Sequence, residues 1–166
     1  MRLTNVRRAL VAGLAAAIAA VAPQRVEGCY AVVAGREATA DGSVLVGHNE
    51  QNGGQRLVNL RKIPRRQFAA GAMVPLQYGG AVPQVAETYA FLWSQNVGVP
   101  FGDGYLNEWG VAIVSDGCPT GESSDDGIVD GGIGYMLRRL VAERAATARA
   151  GVEIAAAALE QVGYWD

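Results

Sequence analysis

The sequence predicts an α+β fold, with strands first and a pair of helices following to cover one face of a sheet. Three observations predict it. Between Cys29 and Val114, β-branched and aromatic residues form short runs or alternate with polar ones, as strands do. From Ile133 onward the apolar spacing becomes helical. The chain's 166 residues, 50% hydrophobic and 18% charged, suit one domain with one core.

Residues 1–28 read as a targeting segment. Arg2, Arg7 and Arg8 precede an apolar run of 14 residues, Ala9 to Ala22. A membrane span needs roughly 20 such residues, whereas a signal peptide needs about 7–15. Pro23 ends the run, and small Val26 and Gly28 suit a signal-peptidase site before Cys29. The expected product is an exported chain, periplasmic or extracellular, with no stable membrane span after processing. A rival reading takes Val26-Glu27-Gly28-Cys29 as a lipoprotein box, with Cys29 lipidated and the protein a non-enzymatic anchored one. Glu27 fits that box poorly.

The mature part, residues 29–166, is read in order. Cys29 to Gly35 is a strand, and Asp41-Gly42 signals a tight hairpin turn into a second strand, Val44 to Val46. His48 to Gly54 is then a polar loop. Arg56 to Phe68 is a basic stretch suited to a solvated strand edge. Val85 to Trp93 places Tyr89, Phe91 and Trp93 at period two, an aromatic strand face belonging to the core. Tyr105 to Val114 is a hairpin turning at Asn107–Gly110. Ser115 to Asp130 is loop. Asp130 is the expected cap of a helix over Ile133–Ala146, with Ile133, Leu137, Leu140 and Val141 inward and Arg138, Glu143 and Arg144 elsewhere. Thr147 caps a second helix, which carries Val152, Ala155, Ala156 and Leu159 and stops at Gly163.

The chemistry centres on Cys29. Cleavage after Gly28 would give this residue a thiol and a free α-amine. Such groups titrate at about 8.5 and about 7.7–8.0, so the pair is poised near neutrality. The amine can take the thiol proton and later return it to a leaving amine. Candidate oxyanion or supporting groups are Asn49, Asn107, Asp116 with its neighbouring backbone, and His48. Asn107 also reads as a turn residue, His48 as a loop residue and Asp41 as turn chemistry. Arg56 and Arg65 are candidates for a substrate carboxylate. Cys118 is the only other cysteine and offers one disulfide, which would disable Cys29. One histidine and two distant cysteines give no metal-ligand spacing, so neither metal nor cofactor is expected. The formal charge of −2 becomes more negative once residues 1–28 are removed, which disfavours a nucleic-acid partner.

Three segments together resemble peptidase family C69, dipeptidases related to the secernins. The first is Cys29, the Ala38–Ser43 turn and His48-Asn49-Glu50. The second is Phe101–Ile113, and the third is Asp130–Ala145 followed by Thr147–Arg149. The resemblance spans Cys29 to Asp166. It implies an N-terminal-nucleophile αββα sandwich, two stacked antiparallel sheets between helix layers, that hydrolyses dipeptides without a metal and uses the terminal Cys as nucleophile. The family usually has Arg and Asp where this chain has His48 and Gln51. In related acylases those two residues sit beside the nucleophile and tune it, so altered specificity, weaker catalysis or an inactive homologue is implied. Family members run to several hundred residues, so this chain is expected to supply only part of the four-layer fold.

Overall fold

The structure is a computed structural model that describes residues 28–51, 58–98, 102–117 and 128–165. The targeting segment up to Glu27, together with Cys118 and Arg56, lies outside the described residues.

β1 (Tyr30–Ala34) and β2 (Leu45–Asn49) form an antiparallel hairpin. The tight turn expected at Asp41-Gly42 is replaced by a longer connection. A 3-10 turn at Arg36–Ala38 comes first, and Asp41 then closes on its own backbone, its Oδ1 accepting the Ser43 N–H at 3.0 Å. Thr39 donates to the Ser43 carbonyl at 2.7 Å, and Gly42 takes φ +73°. The Asp-Gly pair thus makes a side-chain-closed turn within the connection and does not set the hairpin register. β2 also runs further than the sequence suggests. His48 and Asn49 pair with Ala31 and Tyr30, so the expected polar loop begins only at Glu50.

The larger sheet has the order β10-β9-β8-β3 and is antiparallel throughout. Its strands are β3 (Val58–Ile63), β8 (Phe91–Asn96), β9 (Gly102–Asn107) and β10 (Ala112–Val114). Two short ladders flank it: β4 (Arg66–Gln67) with β7 (Glu87–Thr88), and β5 (Met73–Pro75) with β6 (Ala81–Pro83). The single aromatic strand expected over Val85–Trp93 is split at Tyr89 and Ala90. Their N–H groups leave the ladder, one donating to the Glu143 carbonyl and the other to the Glu108 carboxylate, each at 2.8 Å. Phe91 and Trp93 are buried, as expected of core residues.

α1 (Met136–Arg144) and α2 (Ala148–Val162) follow. Asp130 does not cap α1. It adopts φ +49° in a turn with Gly131 and Gly132, and the helix opens six residues later at Met136, with Tyr135 before it offering no side-chain cap. The turn presses onto the loop after β5. A Cβ on Gly131 would lie 2.2 Å from the Tyr78 carbonyl oxygen, so only glycine permits the approach. Glu143, expected on the outer face, is buried and paired with Arg139 Nε at 2.8 Å. Thr147 caps α2 as expected, accepting the Ala150 N–H at 3.1 Å, and Gly163 ends it at φ +74°. The buried face of α2 is turned from the expected one. Gly151, Ala158 and Val162 are buried, while Val152 is exposed. The missing side chain at Gly151 lets α1 come close, since a Cβ there would meet Val141 Cγ1 at 3.0 Å.

The result is an α+β structure whose large sheet is covered on one face. Phe91, Trp93 and Tyr105 pack against Ala142 of α1, and Val111 packs against Val141 and Ala145. The two helices also close over the β5–β6 ladder, with Val74, Leu76 and Val82 meeting Ile133, Leu140, Ala158 and Val162. On the other sheet face Leu60, Leu92 and Leu106 are exposed.

Candidate active site

The hairpin brings Cys29 and Glu50 together. The β1–β2 register pairs Tyr30 with Asn49 and Ala31 with His48, so Cys29 stands opposite Glu50 one step beyond the ladder. Directly opposed residues share a face, as do residues two apart along a strand. Cys29, His48 and Glu50 therefore fall on one side of the hairpin. The Cys29 thiol donates to Glu50 Oε1 at 3.4 Å and accepts the Gln51 N–H at 3.3 Å.

The second Glu50 oxygen lies 3.6 Å from His48 Nε2. The same ring nitrogen is 3.1 Å from Asp116 Oδ1 and 3.2 Å from the Ser115 carbonyl oxygen. A carboxylate and a carbonyl are both acceptors, so Nε2 is the nitrogen that carries a proton. The imidazole is 10% exposed and the Glu50 side chain 21%. Behind them, Arg138 of α1 donates to Ser115 Oγ, anchoring the end of β10 to the helix layer. Two hydrogen-bonded pairs, thiol with Glu50 and imidazole with Asp116, thus lie side by side, 3.6 Å apart at their nearest, and the Glu50 oxygen facing His48 has no hydrogen-bond partner among the described residues. Glu50 can receive the thiol proton, and His48 spans the two carboxylates that flank it.

Of the residues named from sequence, the structure gathers Cys29, His48 and Asp116 here. Asn49 points from the strand end toward the preceding peptide, its Nδ2 lying 3.4 Å from the Gly28 carbonyl oxygen. Asn107 does not join the group. Its Nδ2 donates to the Ala142 and Ala145 carbonyls at 3.2 and 2.6 Å, and its Oδ1 accepts from the Trp109 and Val111 N–H groups at 3.0 Å. Two donors and two acceptor sites exhaust an amide, so none is left for an oxyanion. Asn107 instead ties the β9–β10 turn to the end of α1.

Arg65 is also committed elsewhere. Its guanidinium reaches Glu108 at 2.8 Å and Glu87 at 2.9 Å, and its Cζ stands 5.6 Å from the Tyr89 ring centre. The Arg65 hydrogen bond holds the Glu108 carboxyl below its ordinary range, and the same contact raises Arg65. Burial pushes the Tyr105 hydroxyl up to about 12, which removes it from acid–base work near neutrality.

Glu50 carries no signal in the sequence that marks it as a site residue. Its role depends on β2 reaching Asn49, and a polar stretch read as loop conceals that register. Among the described residues, no group of three or more His, Cys, Asp and Glu side chains is placed to hold a metal ion. No described helix is long and apolar enough to cross a membrane. Comparison with protein-family models, curated proteins and solved structures gave no match.

Proposed function

We propose that this protein is an exported cysteine dipeptidase in which Cys29, exposed by removal of residues 1–28, is the N-terminal nucleophile. The observation that carries the reading is the Cys29 thiol held between a carboxylate acceptor and a backbone donor where the hairpin opens. A strand end fixes a reacting atom more firmly than a free loop does. The resemblance to peptidase family C69 rests on the three segments themselves. An N-terminal-nucleophile sandwich accommodates a hairpin that starts at the nucleophile and a sheet with helices on one face and apolar residues on the other.

In the proposed reaction the thiol gives its proton to the new α-amine, with Glu50 as a second acceptor within reach. The thiolate attacks the peptide carbonyl, the leaving amine takes the proton, and water resolves the thioester. His48 and Gln51 stand where related acylases carry the tuning pair, and Glu50, next to both, supplies a carboxylate beside the thiol instead. Cleavage after Gly28 also removes the acceptor now facing Asn49 Nδ2, which frees a donor one peptide unit from Cys29 for the oxyanion.

The test compares a chain that begins at Cys29 with one that retains Gly28 and with Cys29→Ala. The first should hydrolyse dipeptides, and a chelator should leave its rate unchanged. The other two should lose about a hundredfold or more, the scale of a lost general base or nucleophile. Full activity with the amine still blocked would refute the mechanism. A diacylglycerol adduct on Cys29, read by intact mass, would replace it with the anchored-protein reading.

A further inference from the structure

The hairpin face that carries Cys29, His48 and Glu50 looks toward an apolar groove. Val44 and Val46 continue that face along β2, and the opposing wall is the open face of the large sheet. The cavity between them measures about 410 Å³, within the roughly 300–1,000 Å³ typical of small-ligand sites. His48 lines it and, through Glu50, adjoins the thiol.

The sheet register gives the groove a definite shape. Leu60 pairs with Ser94, Ser94 with Gly104, and Gly104 with Val114, so these four form one row across the sheet. The row begins at Val114, beside the Ser115 carbonyl that meets His48. Its two central members are small and its two ends are large, which leaves a notch floored by Gly104 and Ser94. The next row supplies Leu92 and Leu106 as a further apolar wall. Among the described residues that line it, His48 is the only titratable one besides the Tyr105 phenol, whose burial keeps it neutral.

We infer that this notch is the specificity subsite of the enzyme and takes a large aliphatic or aromatic side chain on the residue next to the scissile amide. The inference rests on the proposed function for the position of that amide at Cys29. Its physical basis is that an apolar notch gains from each methylene it removes from water and offers a charged side chain no partner. One methylene in such a pocket is worth about 10- to 200-fold in discrimination.

The test alkylates Cys29 with aminoacyl chloromethyl ketones bearing a phenylalanine or an alanine side chain. The thiolate displaces chloride and forms an S–C bond, so labelling needs no turnover. The rate is read by mass spectrometry on the peptide that contains Cys29, in the chain beginning at Cys29. The phenylalanine reagent should label about tenfold faster or more. Gly104→Leu fills the notch at a position where a new Cβ meets Val114 Cγ1 at an ordinary 3.6 Å, so the fold should tolerate it. That variant should bring the ratio near one, and Leu60→Ala gives a second reading of the same wall. A ratio near one in the unsubstituted chain, or a ratio insensitive to both substitutions, overturns the subsite. A chain that is dimeric in sedimentation and has a ratio near one overturns it in favour of a second copy covering the face. If dipeptide hydrolysis is absent but the labelling ratio holds, the dipeptidase reading fails and the apolar subsite stands.

Discussion

Asn107→Asp changes a single group in the side chain and separates a structural from a catalytic role at that position. The aspartate keeps the volume and the acceptor that holds the Trp109 and Val111 N–H groups. It loses both donors and sets a carboxylate oxygen where the Ala145 carbonyl stands at 2.6 Å and the Ala142 carbonyl at 3.2 Å. Each buried carbonyl left without a donor costs about 1–3 kcal/mol. Burying the new charge adds to this. The expected loss is about 3–5 kcal/mol near neutral pH, a large share of the roughly 5–15 kcal/mol that stabilises a domain. Burial raises the folded pKa of the new carboxyl above its unfolded value, so the loss should shrink as pH falls and the group becomes protonated. Urea unfolding followed by tryptophan fluorescence measures it, with Trp93 in the core reporting. A variant within about 0.5 kcal/mol of the parent, or one that folds normally yet loses dipeptide hydrolysis, would refute the assignment and return Asn107 to the oxyanion candidates.

Two further tests address the frame around the site. Arg65 depresses Glu108 in the folded state, so the pair stabilises the fold above the unfolded carboxyl range and loses that effect as pH falls through the folded value. The difference in Tm between the parent and Glu108→Gln should therefore be largest near neutrality and close up in acid, and a pH-independent difference would contradict the pairing. Gly151→Val should destabilise by about 1–3 kcal/mol in urea unfolding, because the added Cβ meets Val141 Cγ1 at 3.0 Å where α1 and α2 cross. A neutral or stabilised variant would show that the crossing has room.

Local patterning determined much of this molecule. The strand after Cys29, the β9–β10 hairpin, the burial of Phe91 and Trp93, the Thr147 cap and the Gly163 stop all follow from nearest neighbours and turn chemistry, which act within a few residues. Cys29 could be singled out because a thiol next to an expected cleavage point is chemically legible in one dimension. What the sequence left open depended on distant partners. The Val85–Trp93 run breaks because Glu108 and the Glu143 carbonyl claim two backbone donors. Asp130 loses its capping role to the glycine contact with Tyr78, and α2 turns to suit Gly151. The site divides in the same way. Cys29 and His48 are visible in the chain, but the pairing of Cys29 with Glu50 requires the hairpin register, and Asp116 reaches His48 only when β10 docks beside β2. Sequence supplied the candidate thiol. Tertiary structure chose its neighbours, because register and docking are set by burial summed over the whole sheet rather than by any local run.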